Sequence, residues 1–288
     1  MRAHPSPTRR ASRRPRSRLP TPLSGPIPST IIAPKENQAM SETTPWPNGR
    51  AGCVSLTFDD GHPSQLATAI PAMEGYDLRG TFYVNPRDDY VEWLKPWREA
   101  HARGHEIGNH TVQHICSRNF GWHGQRGLEG ATLAAIEADI LDCAARLAEG
   151  VPEQGECTFC YPCYQCFVGE GSTQESYVPV VARHFKAGRG RGESANQPGL
   201  VDLSYLWSFP CERMSGSEMI GLVEKAASAG TWAILTFHGV GTGHLSVAEG
   251  DFRELCAHLG EHAGRIWTAP VIEATNAVLG WRASRAAD

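Results

Sequence analysis

Cys53-Val54-Ser55-Leu56-Thr57-Phe58-Asp59-Asp60-Gly61 is the stretch from which the rest of the chain can be read. Val54, Leu56 and Phe58 alternate with small residues, which places them on one face of a strand. The strand stops on two carboxylates and a glycine. In parallel α/β folds, functional groups gather at the carboxyl ends of strands. Adjacent Asp side chains point in different directions, so one can bind a metal while the other stays free as a base.

The flanking text alternates between the two periods. Pro63 opens a helix through Met73, since Pro suits the first helical turn. Gly80–Val84 reads as a second strand, residues 91–103 as helix, and Glu106-Ile107 as a short strand running into Gly108-Asn109-His110. Leu133, Ile136, Ile140, Ala144 and Leu147 keep the 3.6-residue period within a helix over 129–148, and Gly150 supplies the stop. A cysteine-rich strand or loop (157–166) and a helix near 176–186 follow. Residues 187–217 are broken by Gly and Pro and read as irregular. A helix near 217–229 leads into the apolar strand 231–237, which ends at His238. A helix near 247–262, a strand at 265–268 and a helix from about Pro270 complete the pattern. The alternation predicts an α/β domain with a parallel sheet of barrel type.

The chain has 288 residues and a formal net charge of −4. Seven Arg, one Lys and one Glu give residues 1–39 a net charge of +7, which leaves −11 for the remainder. An acidic body makes no electrostatic case for nucleic acid. Residues 1–45 are expected to be a disordered Arg/Pro/Ser-rich tail, with Met40 an alternative start, and residues 46–288 the catalytic domain. No apolar h-region follows the Arg pairs, and no window approaches the ~18 apolar residues of a membrane helix. A cytoplasmic protein without membrane attachment is therefore expected.

His110-Thr111-Val112-Gln113-His114 carries two imidazoles at i and i+4, which face the same way on a helical turn. With Asp60 they form a two-His, one-carboxylate set suited to a divalent metal, zinc above all.

Three motifs resemble the polysaccharide deacetylase family (NodB homology domain, carbohydrate esterase family 4). They are Thr57–Gly61, Gly104–His114 and Leu235–His238, in the family's order within residues 50–280. The resemblance implies a distorted (β/α) barrel with fewer than eight repeats. It implies Asp59 as catalytic base, Asp60, His110 and His114 as metal ligands, and His238 as catalytic acid. Asp202 is the implied partner of His238. The backbone N–H of Cys163 is implied for the oxyanion, or that of Tyr164 if the register slips by one. The implied reaction removes acetyl groups from N- or O-acetylated carbohydrate. The metal would polarise the acetyl carbonyl and acidify the attacking water.

The third motif departs from the family. An Arg normally stands two residues before Pro162 and orients the catalytic Asp; here Cys160 occupies that place. That support is absent or supplied from elsewhere in the chain. The departure keeps open a hydrolase of small non-peptide amides, or a non-catalytic carbohydrate-binding or Cys-cluster protein. Cys157, Cys160, Cys163 and Cys166 approach ferredoxin-like spacing. In an extended strand, however, a spacing of three alternates faces, so the four thiols would not converge. Mostly reduced thiols fit the nine cysteines. His62, His105 and His123 are expected in loops or at the surface, and Trp122 and Trp207 are candidates for stacking on sugar.

Overall fold

The computed structural model describes residues 44–121 and 127–286. The expectations for residues 1–43, and for Trp122 and His123, lie outside them.

In chain order the strands are β1 (Gly52–Asp59), β2 (Thr81–Val84), β3 (Glu106–Asn109), β4 (Phe159–Cys160), β5 (Phe167–Val168), β6 (Glu175–Ser176), β7 (Gly188–Arg189), β8 (Phe209–Pro210), β9 (Trp232–Phe237) and β10 (Ile266–Thr268). β5 and β6 form a separate antiparallel pair. The other eight make one parallel sheet in the order β7-β4-β3-β2-β1-β9-β8, with β10 alongside the start of β1. The sheet curls into a half-barrel with helices packed on it, which is the distorted (β/α) barrel architecture. Every strand of this sheet runs the same way, so all carboxyl ends open on one rim.

β1 lies at the centre, buried along its whole length. Phe58 stacks on Phe82 at 4.7 Å and on Phe237 at 5.3 Å, joining β1 to β2 and β9. The helix Leu133–Gly150 starts at Thr132, whose hydroxyl accepts from Ala135 N–H, and buries Ile136, Ile140, Cys143 and Leu147. The helix Gly216–Ser228 starts with a reciprocal cap between Ser215 and Glu218. Glu106 is a buried carboxylate at the start of β3. It accepts from the hydroxyls of Thr81 (2.8 Å) and Thr158 (2.7 Å) and from the N–H of Ile272 (2.9 Å). It thus ties β2 and the segment entering β4 to the last helix, Val271–Ala286.

One expectation fails here, and a second holds only in part. Residues 187–217 contain β7 and β8, which are two residues each, too short to show a period of two. His105 lies in the connection before β3, as a loop residue would, but it is buried and not at the surface. Its Nδ1 accepts from Gly80 N–H at 3.1 Å, and its Nε2 faces Glu74 at 3.2 Å. Burial pushes the His105 pKa down to about 4, with Glu74 opposing the shift.

The ring is therefore neutral in the folded chain, while the unfolded chain binds a proton near pH 6.5. Its contribution is fully present above pH 6.5 and is lost as pH falls toward 4, by at most about 3 kcal/mol. Urea unfolding at pH 7 and pH 4.5 should show a smaller loss of stability in His105→Gln than in the parent. Equal losses would refute this role for His105.

Candidate active site

β1 delivers Asp59 and Asp60 to the rim. Asp60 takes a left-handed φ of 70° and Gly61 one of 63°, which turns the chain sharply and separates the two carboxylates. A Cβ on Gly61 would lie 2.8 Å from the Trp93 ring, so the turn has no room for a side chain. Asp59 is buried, whereas Asp60 opens into a cavity of about 880 Å³.

β3 delivers His110 and His114. Both reach Asp60 Oδ1, through Nε2 at 3.4 Å and 3.3 Å. The local backbone is not the helical turn that the spacing suggested. Thr111 and His114 have positive φ, and the Thr111 hydroxyl accepts from His114 N–H at 2.9 Å. The carboxylate of Asp139, on the helix Leu133–Gly150, accepts from the N–H of Val112 and Gln113, both at 3.1 Å. A side chain from another element thus replaces helical hydrogen bonding. His110 Nδ1 donates to the Cys160 carbonyl at 3.0 Å, leaving Nε2 free to face Asp60.

β9 delivers His238, whose Nε2 lies 3.9 Å from Asp59 Oδ2 and 3.9 Å from Asp60 Oδ2. The five residues Asp59, Asp60, His110, His114 and His238 therefore line one cavity. With ligand bonds of about 2.0–2.2 Å, two donors on a tetrahedral zinc lie about 3.3–3.6 Å apart. The distances from Asp60 to His110 and His114 match that edge, and the tautomer of His110 is the one a metal ligand needs. The donor set fits a divalent ion.

Residues 47–164 match the profile of the family described as polysaccharide deacetylase. Over that stretch, which holds Asp59, Asp60, His110 and His114, the chain is similar to this family.

Solved structures share the fold. A candidate polysaccharide deacetylase from Mycobacterium smegmatis superposes with a TM-score of 0.54 at 16% identity, covering 82% of this chain and 92% of that one. The peptidoglycan deacetylase PdaC from Bacillus subtilis gives 0.50 at 14% identity, over 81% and 94%. At such identities the likeness speaks for the fold alone. A curated relative, a gellan lyase from Bacillus sp., is 31% identical over 74 residues. That match spans 26% of this chain and 3% of the lyase.

Within this polysaccharide deacetylase-like site, the arginine absent from β4 is supplied by β7. Arg189 is fully buried, and its Nη2 donates to both oxygens of Asp59, at 2.5 Å and 2.6 Å. It also touches the Cys160 sulfur and lies over the Tyr83 ring. β7 neighbours β4 in the sheet and pairs Arg189 with Cys160, so a guanidinium from either strand can reach the same carboxylate. The signal in the sequence was thin: an Arg between two glycines in a stretch read as irregular. Gln65 was missed as well. Its Nε2 donates to the backbone carbonyls of Asp59 (2.6 Å) and His238 (3.0 Å), joining the ends of β1 and β9. It begins a π-helical segment, Gln65–Ala69, inside the helix expected from Pro63; such bulges recur at functional sites.

The electrostatics separate the two carboxylates. Burial is the largest single influence on the Asp59 carboxyl and pushes it up, but Arg189, His110 and His238 together outweigh burial and leave the group below its ordinary range. Burial also opposes charge on Asp60, yet the facing imidazoles of His110, His244 and His114 hold it far below that range. Burial and the neighbouring His110 lower His114 to about 4, so His114 is a neutral donor at pH 7. Burial likewise lowers His238, with Asp59 and Asp60 opposing.

Asp202 does not join the cluster. It is exposed, and its carboxylate accepts from Ser204 N–H at 2.9 Å, which caps its own turn instead of supporting His238. Cys163 lines the cavity with φ 52°, while Tyr164 N–H is engaged by the Tyr161 carbonyl at 2.9 Å. Of the two backbone candidates, Cys163 is the one compatible with an oxyanion role. The four thiols of the 157–166 run diverge. Cys163 forms a disulfide with Cys116, which the expectation of reduced thiols did not foresee, and the other seven cysteines are free. Burial raises Cys160 and lifts Cys157 to about 12, so both remain thiols at neutral pH.

Proposed function

We propose that this protein is a metal-dependent hydrolase that removes acetyl groups from N- or O-acetylated carbohydrate. The observation that carries the reading is the convergence of Asp59, Asp60, His110, His114 and His238 on one wall of an open cavity. Asp60, His110 and His114 would hold the ion, zinc by donor set. Once bound, it would supply Lewis acidity toward the acetyl carbonyl and lower the pKa of the attacking water.

The chain's own residues do the rest. Asp59, held ionised by Arg189, accepts the proton of the attacking water. Cys163 lines the cavity, and its backbone N–H would stabilise the carbonyl oxygen as it gains negative charge. His238, 3.9 Å from Asp59, delivers a proton to the departing nitrogen or oxygen. An alkoxide leaves more readily than an amine, so the same groups serve esters and amides. Trp93 and Phe120 line the cavity, and both are partly exposed, which suits stacking on a sugar ring. Among the described residues no helix is long and apolar enough to cross a membrane. The Cys116–Cys163 disulfide favours an oxidising compartment over the cytoplasm that was expected.

The test joins metal content to acetate release from acetylated chito- and xylo-oligosaccharides. We expect about one tightly held divalent ion per chain, absent in Asp60→Ala, together with acetate release that a chelator abolishes. Turnover of small amides with none of acetylated glycans would replace the substrate. Metal binding without any turnover would defeat the enzymatic reading.

A further inference from the structure

We propose that Asp60 Oδ2, His238 and His244 form a second, weaker divalent-cation site, whose filling by excess metal silences the reaction. Its existence follows from geometry independent of the proposed function. Its effect on activity rests on that reading, through the role given to His238.

The two oxygens of Asp60 face different partners. Oδ1 faces His110 and His114. Oδ2 faces His244 Nε2 at 3.1 Å and His238 Nε2 at 3.9 Å. These two distances bracket the tetrahedral edge of about 3.3–3.6 Å expected for zinc. The three ligand atoms all lie within 4.8 Å of one another. A carboxylate has lone pairs on both oxygens, so it can bridge two ions, and paired ions about 3.5–4 Å apart are a recurrent arrangement. His244 belongs to none of the sequence motifs. It arrives from the loop after β9, where Gly241 and Gly243 have positive φ, and its side chain is 56% exposed.

That placement explains why the second site should be weaker. A solvent-facing loop residue must be ordered to complete it, which weakens binding about tenfold or more. It also predicts the consequence. A cation on His238 Nε2 occupies the nitrogen that would carry the proton to the leaving group. Low metal would therefore activate the protein, and higher metal would inhibit it.

Equilibrium dialysis of the full chain against zinc alone tests the site without reference to turnover. The parent is expected to bind one ion more than His244→Ala, and that extra ion is the weaker one. His244→Ala keeps the first ion, and the inhibition by excess zinc disappears with the second. Equal stoichiometry in parent and variant at saturating zinc overturns the proposal and leaves His244 a hydrogen-bond donor to Asp60. If no acetylated carbohydrate is hydrolysed, the proposed function fails, yet the difference of one ion still decides whether the second site exists.

Discussion

Asp59→Asn is expected to lower kcat by about 10²–10⁴-fold, the usual worth of a positioned general base, while leaving the bound metal in place. Asn keeps the shape of the side chain and can still accept from Arg189, but it cannot take a proton from water. The metal should stay because Asp59 is set apart from the ion-binding set: the turn at Asp60 and Gly61 points the two carboxylates to different partners. The measurement is acetate release under saturating substrate, with elemental analysis of the same samples. A variant that retains both metal and full turnover would remove Asp59 from the mechanism. A variant that loses metal would instead place Asp59 among the ligands.

Arg189→Met should have the second large effect, on stability as well as on rate. Arg189 and Asp59 form a buried ion pair, and removing one partner of such a pair costs roughly 3–5 kcal/mol because the other charge is left uncompensated. The double variant Asp59→Asn with Arg189→Met should therefore be more stable than the two single costs added together would predict. Denaturant unfolding of the four proteins gives that coupling directly.

The pH profile separates positioning from a merely structural role. With Arg189 present, Asp59 is ionised from below its ordinary range upward, so its stabilising charge is lost only when pH falls through that depressed value. Without Arg189 the strongest charge opposing burial is gone, and His110 and His238 alone are left against it, so the carboxyl rises. The acid limb of activity should then move to higher pH in Arg189→Met, and Arg189→Lys should restore part of the shift by returning the charge without the planar fork. An acid limb that does not move would show that Arg189 serves packing only.

This arginine also shows how the positive charge beside Asp59 is kept when the family motif is altered. Cys160 stands where the guanidinium would normally start, and its sulfur now packs between Asp59, His110 and Arg189. The guanidinium itself arrives from the neighbouring strand. A requirement for a positive charge beside the buried carboxylate is thus met in space, although the position in the chain has changed.

The sequence by itself determined the elements with enough residues to display a period and the motifs that act within a few residues of one another. β1 and β9 are long and apolar and were legible as strands; both end on chemistry, at Asp59-Asp60 and His238. His110 and His114 were legible as a pair because both stand on one short turn, although the turn proved non-helical. Tertiary structure alone decided the rest. Arg189 meets Asp59 across 130 residues of chain, Gln65 meets His238 across 173, and His244 meets Asp60 across 184. Cys116 pairs with Cys163 across 47. None of these partners is announced by a local pattern, because a side chain's role in a parallel sheet depends on which strand ends share its rim. That order is set by the packing of whole strands, and two-residue strands such as β7 take their place in it through their neighbours' hydrogen bonds.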